Sequence, residues 1–167
     1  MTDLVVTRDG WLRAGVARYP CVLGRGGVKA DKREGDHATP AGRFPLRRVF
    51  YRADRLSAPE TDLPRQALNP DSGWCDDPGD PAYNSLVALP YGASAEALYR
   101  ADGLYDVIVV MGYNDDPPMP GRGSAIFLHV AAPDGTPTEG CVALALSDLL
   151  AILPMLGPTS TITIRPE

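Results

Sequence analysis

Glycine and proline interrupt this chain so often that no stretch remains for the long helices of a bundle. Gly and Pro, 17 of each, make up about one position in five, against an ordinary usage of roughly 12%. Each Pro removes a backbone donor and fixes φ, and each Gly eases a turn, so the chain between them reads as short segments. The 167 residues suit one domain. A 44% hydrophobic and 22% charged composition excludes wholesale disorder. Residues 1–167 therefore read as one loop-rich, mainly β domain.

Residues 4–7 are a β-prone run ending at the turn signal Asp9-Gly10, and residues 11–23 alternate as a second strand, so a hairpin opens the chain. Residues 24–36 are a polar, Gly-rich loop. Thr39-Pro40-Ala41-Gly42-Arg43-Phe44 leads into a strand over 44–51. Residues 52–84 form a long excursion rich in Pro and Gly, a kind of loop that is usually functional. The Ala-rich stretch 93–100 predicts a short helix. Residues 105–111 and 124–131 are apolar runs of buried-strand type. Ser147 is placed to cap a short helix through Ile152, stopped by Pro154. Residues 161–165 alternate as a closing strand. The expected architecture is a mixed or antiparallel β-domain carrying two or three short helices.

Asp and Glu outnumber Lys and Arg by 21 to 16, giving a net charge of −5. The densest basic run, residues 29–33, is interrupted by Asp31 and followed by Glu34 and Asp36, so nucleic acid is excluded as a partner. The first ten residues hold neither a basic start nor a long apolar stretch, and nothing approaches the ~18 apolar residues that span a bilayer. We therefore expect no membrane association and a cytoplasmic location. Cys21, Cys75 and Cys141 are odd in number, far apart and without CxxC spacing, which fits a reducing compartment rather than a disulfide framework. Two distant histidines and scattered cysteines give no zinc-ligand spacing, so neither metal nor cofactor is expected.

Only His37 and His129 can serve as imidazole bases. His129 lies in the apolar run Ile126-Phe127-Leu128-His129-Val130, and Thr138-Glu139-Gly140-Cys141 follows after a short loop. Alone, a strand His reads as a hydrogen-bonded core residue and a Cys as a buried structural thiol. Together, one strand His and one Gly-Cys at a loop end tilt the reading toward nucleophilic catalysis.

The segment Gly123-Ser124-Ala125-Ile126-Phe127-Leu128-His129, with Thr138-Glu139-Gly140-Cys141 after it, resembles the catalytic region of the L,D-transpeptidase (YkuD-type) family. That family carries a strand His and then a loop ending in Ser/Thr-His-Gly-Cys. Thr39-Pro40-Ala41-Gly42-Arg43-Phe44 is similar to its Thr-Pro-x-Gly-x-Phe motif, and Met111-Gly112-Tyr113-Asn114 falls where a family strand runs toward the site. The chain departs from the pattern at Glu139 (usually His), Val130 (usually Gly), Ala143 (often Arg or Asn) and in a shorter loop before Thr138. These departures suggest a Glu-Gly-Cys subgroup.

The resemblance implies a single-domain mixed β-sandwich of that catalytic type and a thioester acyl-enzyme. Cys141 would attack a peptide carbonyl, His129 would move the proton, and the Gly140 and Cys141 N–H groups would hold the oxyanion. Glu139 has three readings: it orients His129 or a substrate ammonium, it raises the thiol pKa, or it simply points to solvent. The implied substrate is a murein tetrapeptide or muropeptide, cut between the L-centre of meso-diaminopimelate and a terminal D-Ala. With no export signal read, the expectation is an L,D-carboxypeptidase of cytoplasmic peptidoglycan recycling, acting as a monomer. L,D-transpeptidation is the alternative, and a non-catalytic peptide- or glycan-binding module the second. A protease of ordinary L,L-peptides lacks its local signatures. Candidate substrate contacts are Trp74, Asp76, Tyr83 and Asn84 in the excursion; on residue type core packing is the better reading for Trp74, and the other three are evenly divided between contact and turn. Arg122 is the candidate for a substrate carboxylate, and Tyr113, Asn114 and Thr138 complete the set.

Overall fold

The computed structural model describes residues 1–167. The chain opens as an antiparallel meander of β1 (Leu4–Thr7), β2 (Trp11–Ala14) and β3 (Ala17–Pro20). β4 (Val28–Lys29) and β5 (Thr39–Pro40) are a short parallel pair that ties off the loop between them. β6 (Gly42–Tyr51) is the longest strand. The excursion and the residues after it hold β7 (Arg65–Ala67), β8 (Ser72–Cys75), β9 (Leu86–Ala88) and β10 (Ala95–Ala97). β11 (Val107–Met111), β12 (Phe127–Val130) and β13 (Val142–Leu144) precede α1 (Leu146–Ile152), a 3-10 turn (Leu153–Met155) and β14 (Thr161–Ile164).

The main sheet runs β13-β12-β11-β6-β14-β1-β2-β3, with β7 added beside β6; β10-β8-β9 form a second, smaller sheet. β6 joins the two halves of the main sheet, because residues 42–45 pair with β14 and residues 46–51 with β11. The strands are short and mostly antiparallel, with parallel pairs in the main sheet at β1/β14, β6/β7 and β12/β13. This is the mainly β, sandwich-like architecture expected.

β11 shows how the core is divided. Strand side chains alternate between faces, so Val107, Val109 and Met111 join a large aliphatic cluster while Ile108 and Val110 join a smaller aromatic one. Both faces are covered, which is why its sequence is an unbroken apolar run. The same alternation continues through the next two strands. Leu128, Val142 and Leu144 enter the large cluster, and Phe127 and Cys141 the small one.

Three expectations need correction. Residues 11–23 are not one strand; Gly15, at φ 60, turns the chain between β2 and β3. The Ala-rich stretch 93–100 is no helix but β10, paired antiparallel with β8 so that Glu96 lies opposite Trp74. The pairing partner outweighs the weak helix preference of alanine. Consequently one α-helix and one 3-10 turn stand in place of two or three helices. Ser147 also does not cap: Ala145 occupies the N-cap of α1, with no side-chain cap bond.

Candidate active site

β12 and β13 are parallel neighbours, with His129 opposite Ala143. Cys141 stands two residues before Ala143, at the entrance to β13, so its side chain leaves the same face as that of His129. Both line a cleft of about 560 Å³. The Cys141 thiol donates to the Ala125 carbonyl at 3.2 Å, and Sγ accepts from the Phe127 N–H at 3.4 Å. Burial and then the Glu96 carboxylate push this thiol up to about 12, against the pull of the Phe127 N–H and Lys32. His129 Nδ1 lies 2.9 Å from the Val130 carbonyl. That contact favours the tautomer with the proton on Nδ1 and leaves Nε2 as the basic nitrogen. Burial lowers the imidazole pKa below its usual value. The resting pair is thus a neutral thiol and a neutral imidazole, with the thiol hydrogen on a backbone carbonyl.

The turn before Cys141 is held by the motifs that flank it in space. Gly140 has φ 137, and a Cβ there would come within 2.8 Å of the Ala38 carbonyl, so a side chain is excluded. Thr39 is fully buried and accepts the Gly24 N–H at 2.9 Å, which fixes the start of β5 and with it Ala38, the residue before. Thr138 Oγ1 donates to the Cys141 carbonyl at 2.6 Å and accepts from the Gly140 N–H at 3.1 Å. The Gly140 N–H therefore already has a partner. The Cys141 N–H has none, so of the two donors expected for an oxyanion only this one is free.

Carboxylates dominate the rest of the cleft. Glu34, Asp76, Glu96 and Glu139 line it, against Arg25 and Arg100. Glu96 accepts a hydrogen bond from the Tyr105 hydroxyl, and burial raises its carboxyl pKa. Asp76 Oδ1 is buried without a hydrogen-bond partner. Glu139 is exposed at the rim, and the partner of the imidazole Nδ1 is the Val130 carbonyl rather than this carboxylate. Its charge adds to the upward push on the thiol.

The remaining candidates are placed outside the cleft lining or in its support. Trp74 is buried edge-on to Phe127 at 5.2 Å, so its core reading is the one realised. Tyr83 donates to Glu34 at 2.8 Å and accepts the Gly123 N–H at 3.0 Å. Asn84 is buried and bonded on both ends of its amide. The Tyr113 hydroxyl donates to the Arg122 carbonyl at 2.5 Å, and Asn114 Nδ2 bonds the Met119 and Gly123 carbonyls. Arg122 is an exposed side chain 4.0 Å from Asp31, not a cleft residue. Arg25, Glu34, Glu96, Arg100 and Tyr105 were not among the sequence candidates. Glu96 was hidden by the helical reading of its segment, and the others carry no local pattern.

The chain is similar to two solved structures. One is the helical cell shape determining protein Pgp2 from Campylobacter jejuni, at 16% identity and a TM-score of 0.49, covering 98% of this chain and 47% of that one. The other is Bd1075 from Bdellovibrio bacteriovorus, at 16% identity and a TM-score of 0.49, covering 99% and 48%. The chain thus spans about half the length of these structures. No curated protein matches it. The family model of the L,D-transpeptidase catalytic domain, YkuD, matches residues 2–164 and so takes in His129, Cys141 and the strands that carry them. This chain belongs to the YkuD L,D-transpeptidase catalytic domain family.

Proposed function

We propose that this protein is a cysteine L,D-carboxypeptidase that removes the terminal D-Ala from murein tetrapeptides in cytoplasmic peptidoglycan recycling. The observation that carries this reading is the placement of Cys141 and His129 on one face of adjacent strands in a single cleft. Family membership supports a peptidoglycan stem peptide as the substrate class. The unpartnered Asp76 carboxylate beside Glu96, with Arg25 and Arg100 in the same cleft, supports a substrate bearing both ammonium and carboxylate groups. Three free cysteines support a reducing compartment.

In this mechanism Sγ attacks the carbonyl carbon of the L-centre as its proton passes to His129 Nε2. Because both groups start neutral, charge develops only as the bond forms. The Cys141 N–H takes the oxyanion. Collapse breaks the C–N bond, and the imidazolium returns its proton to the leaving amine of D-Ala. A water then gives its proton to His129 and attacks the thioester. The tripeptide carboxylate leaves and the thiol regains a proton.

Mass spectrometry of a soluble murein tetrapeptide incubated with the protein, with and without a D-amino-acid acceptor and beside Cys141→Ala, tests the reading. The expected result is loss of one D-Ala, exceeding exchange and abolished by the substitution. Dominant exchange makes the protein a transpeptidase. No reaction in either tube leaves a non-catalytic binding module, the reading favoured by a thiol bonded to a backbone carbonyl.

A further inference from the structure

Asn84 has the composition of a ligand contact and the environment of a core residue. It is 7% exposed, and its amide is fully used. Oδ1 accepts from Trp74 Nε1 and from the Ala125 N–H, both at 3.0 Å. Nδ2 donates to the Tyr113 and Asn114 carbonyls at 3.0 and 2.8 Å. No hydrogen-bonding capacity remains for a substrate.

Ala125, the residue it holds, has φ 54. A residue with a Cβ is strained in this region unless its surroundings hold it there. The strained peptide supplies the carbonyl that accepts the Cys141 thiol hydrogen at 3.2 Å. Two residues later the Phe127 N–H reaches the same sulfur at 3.4 Å. Trp74, tied to the same Oδ1, packs edge-on to the Phe127 ring. One buried amide therefore braces both sides of the sulfur.

We propose that Asn84 is a positioning residue for the nucleophile: it clamps the strained Ala125 peptide and so fixes the carbonyl on which the Cys141 thiol hydrogen rests. This role rests on the proposed function, in which Cys141 is the nucleophile. For attack, the hydrogen must leave the Ala125 carbonyl for His129, so the direction of this carbonyl sets the starting point of the reaction. The charged and titratable groups around the thiol are Glu96 on β10, Tyr105 before β11, His129 on β12, Glu139 before β13 and Lys32 in the loop between β4 and β5. Asn84 is uncharged, so replacing it changes the acceptor geometry at the sulfur and leaves these charges in place.

Two readouts on the full chain test this. One is iodoacetamide alkylation of Cys141 between pH 7 and 10.5, read on its own peptide by mass spectrometry. The other is kcat/KM for D-Ala release from the tetrapeptide. Asn84→Ala is expected to move the onset of alkylation about half a pH unit lower, since a neutral thiol loses its fixed acceptor. It should also cost about tenfold in kcat/KM. Adding Ala125→Gly, which adopts this φ without strain, should recover at least about threefold of that loss. An unchanged alkylation profile, or the same loss with and without Ala125→Gly, overturns the proposal and makes Asn84 a packing residue. Should Asn84→Ala fail to fold, Asn84→Ser, whose hydroxyl is too short to reach the Ala125 N–H, takes its place in the same cycle. Alkylation needs no substrate. A wild-type protein that releases no D-Ala would remove the carboxypeptidase reading, while the alkylation profile alone decides the positioning role.

Discussion

The strands β11, β12 and β13 present two faces that differ in kind. On one face lie 20 buried residues without an aromatic ring or a titratable group among them. On the other lie 10, and these include Phe50, Trp74, Tyr105, Phe127 and Cys141, bordered by His129 and Glu96 in the cleft and by Asn84, which bonds Trp74 and Ala125. The first face stabilises through area, which has no direction, so neighbours of similar volume can replace one another. The second works through hydrogen bonds whose geometry is fixed, and apart from Asp76 Oδ1 the buried side-chain donors and acceptors there have partners whose loss leaves an orphan. Residues adjacent in sequence thus obey different rules, and substitutions along β12 expose the division.

The largest expected effect is on the site face. On the proposed function, His129→Gln should cut D-Ala release by about 10²- to 10⁴-fold, while the Val130 carbonyl it orphans should cost about 1–3 kcal/mol of stability, measured by product release per folded molecule and urea denaturation on the same preparation. One residue earlier the pattern should invert. Leu128→Ala should cost about 2–5 kcal/mol of stability, whereas Leu128→Met should cost less than about 1.5 kcal/mol. Turnover per folded molecule should change little in either, which active-site titration would check. Thr39→Val leaves the Gly24 N–H without its acceptor and should cost about 1–3 kcal/mol, read from thermal or urea unfolding. Loss of site-face hydrogen bonding at no measurable cost would break the comparison.

The smallest effect is in the pH dependence of stability. Burial holds the folded His129 pKa below its ordinary value of 6.5. As pH falls through 6.5 the unfolded chain takes up a proton that the folded chain resists, so this contribution is full above 6.5 and lost below it. Urea midpoints at pH 7.5 and 5.5 should therefore differ less in His129→Gln than in the wild type. Glu96, whose raised carboxyl pKa acts in the opposite sense, is common to both proteins and cancels in the comparison.

Features fixed by chemistry along the chain were legible in the sequence, and features fixed by packing across it were not. β11 could be read because burial on both faces demands an apolar run. The strand His and the Gly-Cys turn stand out in the sequence as residue types that thiol chemistry needs close together, and the fold brings His129 and Cys141 to one cleft. β10 could not be read, since its strand character comes from pairing with β8, some 20 residues earlier in the chain. That error also hid Glu96, the strongest charge acting on the thiol. Arg122, chosen for its nearness to His129 in sequence, is turned to solvent, while Arg25 and Arg100 reach the cleft from distant loops. Asn84 was noticed for its polarity, but only the fold shows that this polarity is spent internally.

The order of the main sheet also bears on how the protein forms. β14 is the last strand in the chain, yet it lies between β6 and β1. During synthesis the amino-terminal meander therefore waits, one edge unpaired, for a segment made some 150 residues later. Val22 and Gly24, just past that meander, brace Ala143 and Thr138 through backbone bridges. Assembly of the turn before Cys141 is thus coupled to the arrival of β14, a closure of long sequence separation that is slow compared with local pairing. Nascent chains halted before residue 161 should carry both His129 and Cys141 and still lack a formed cleft, keeping the thiol out of service until β14 completes the main sheet.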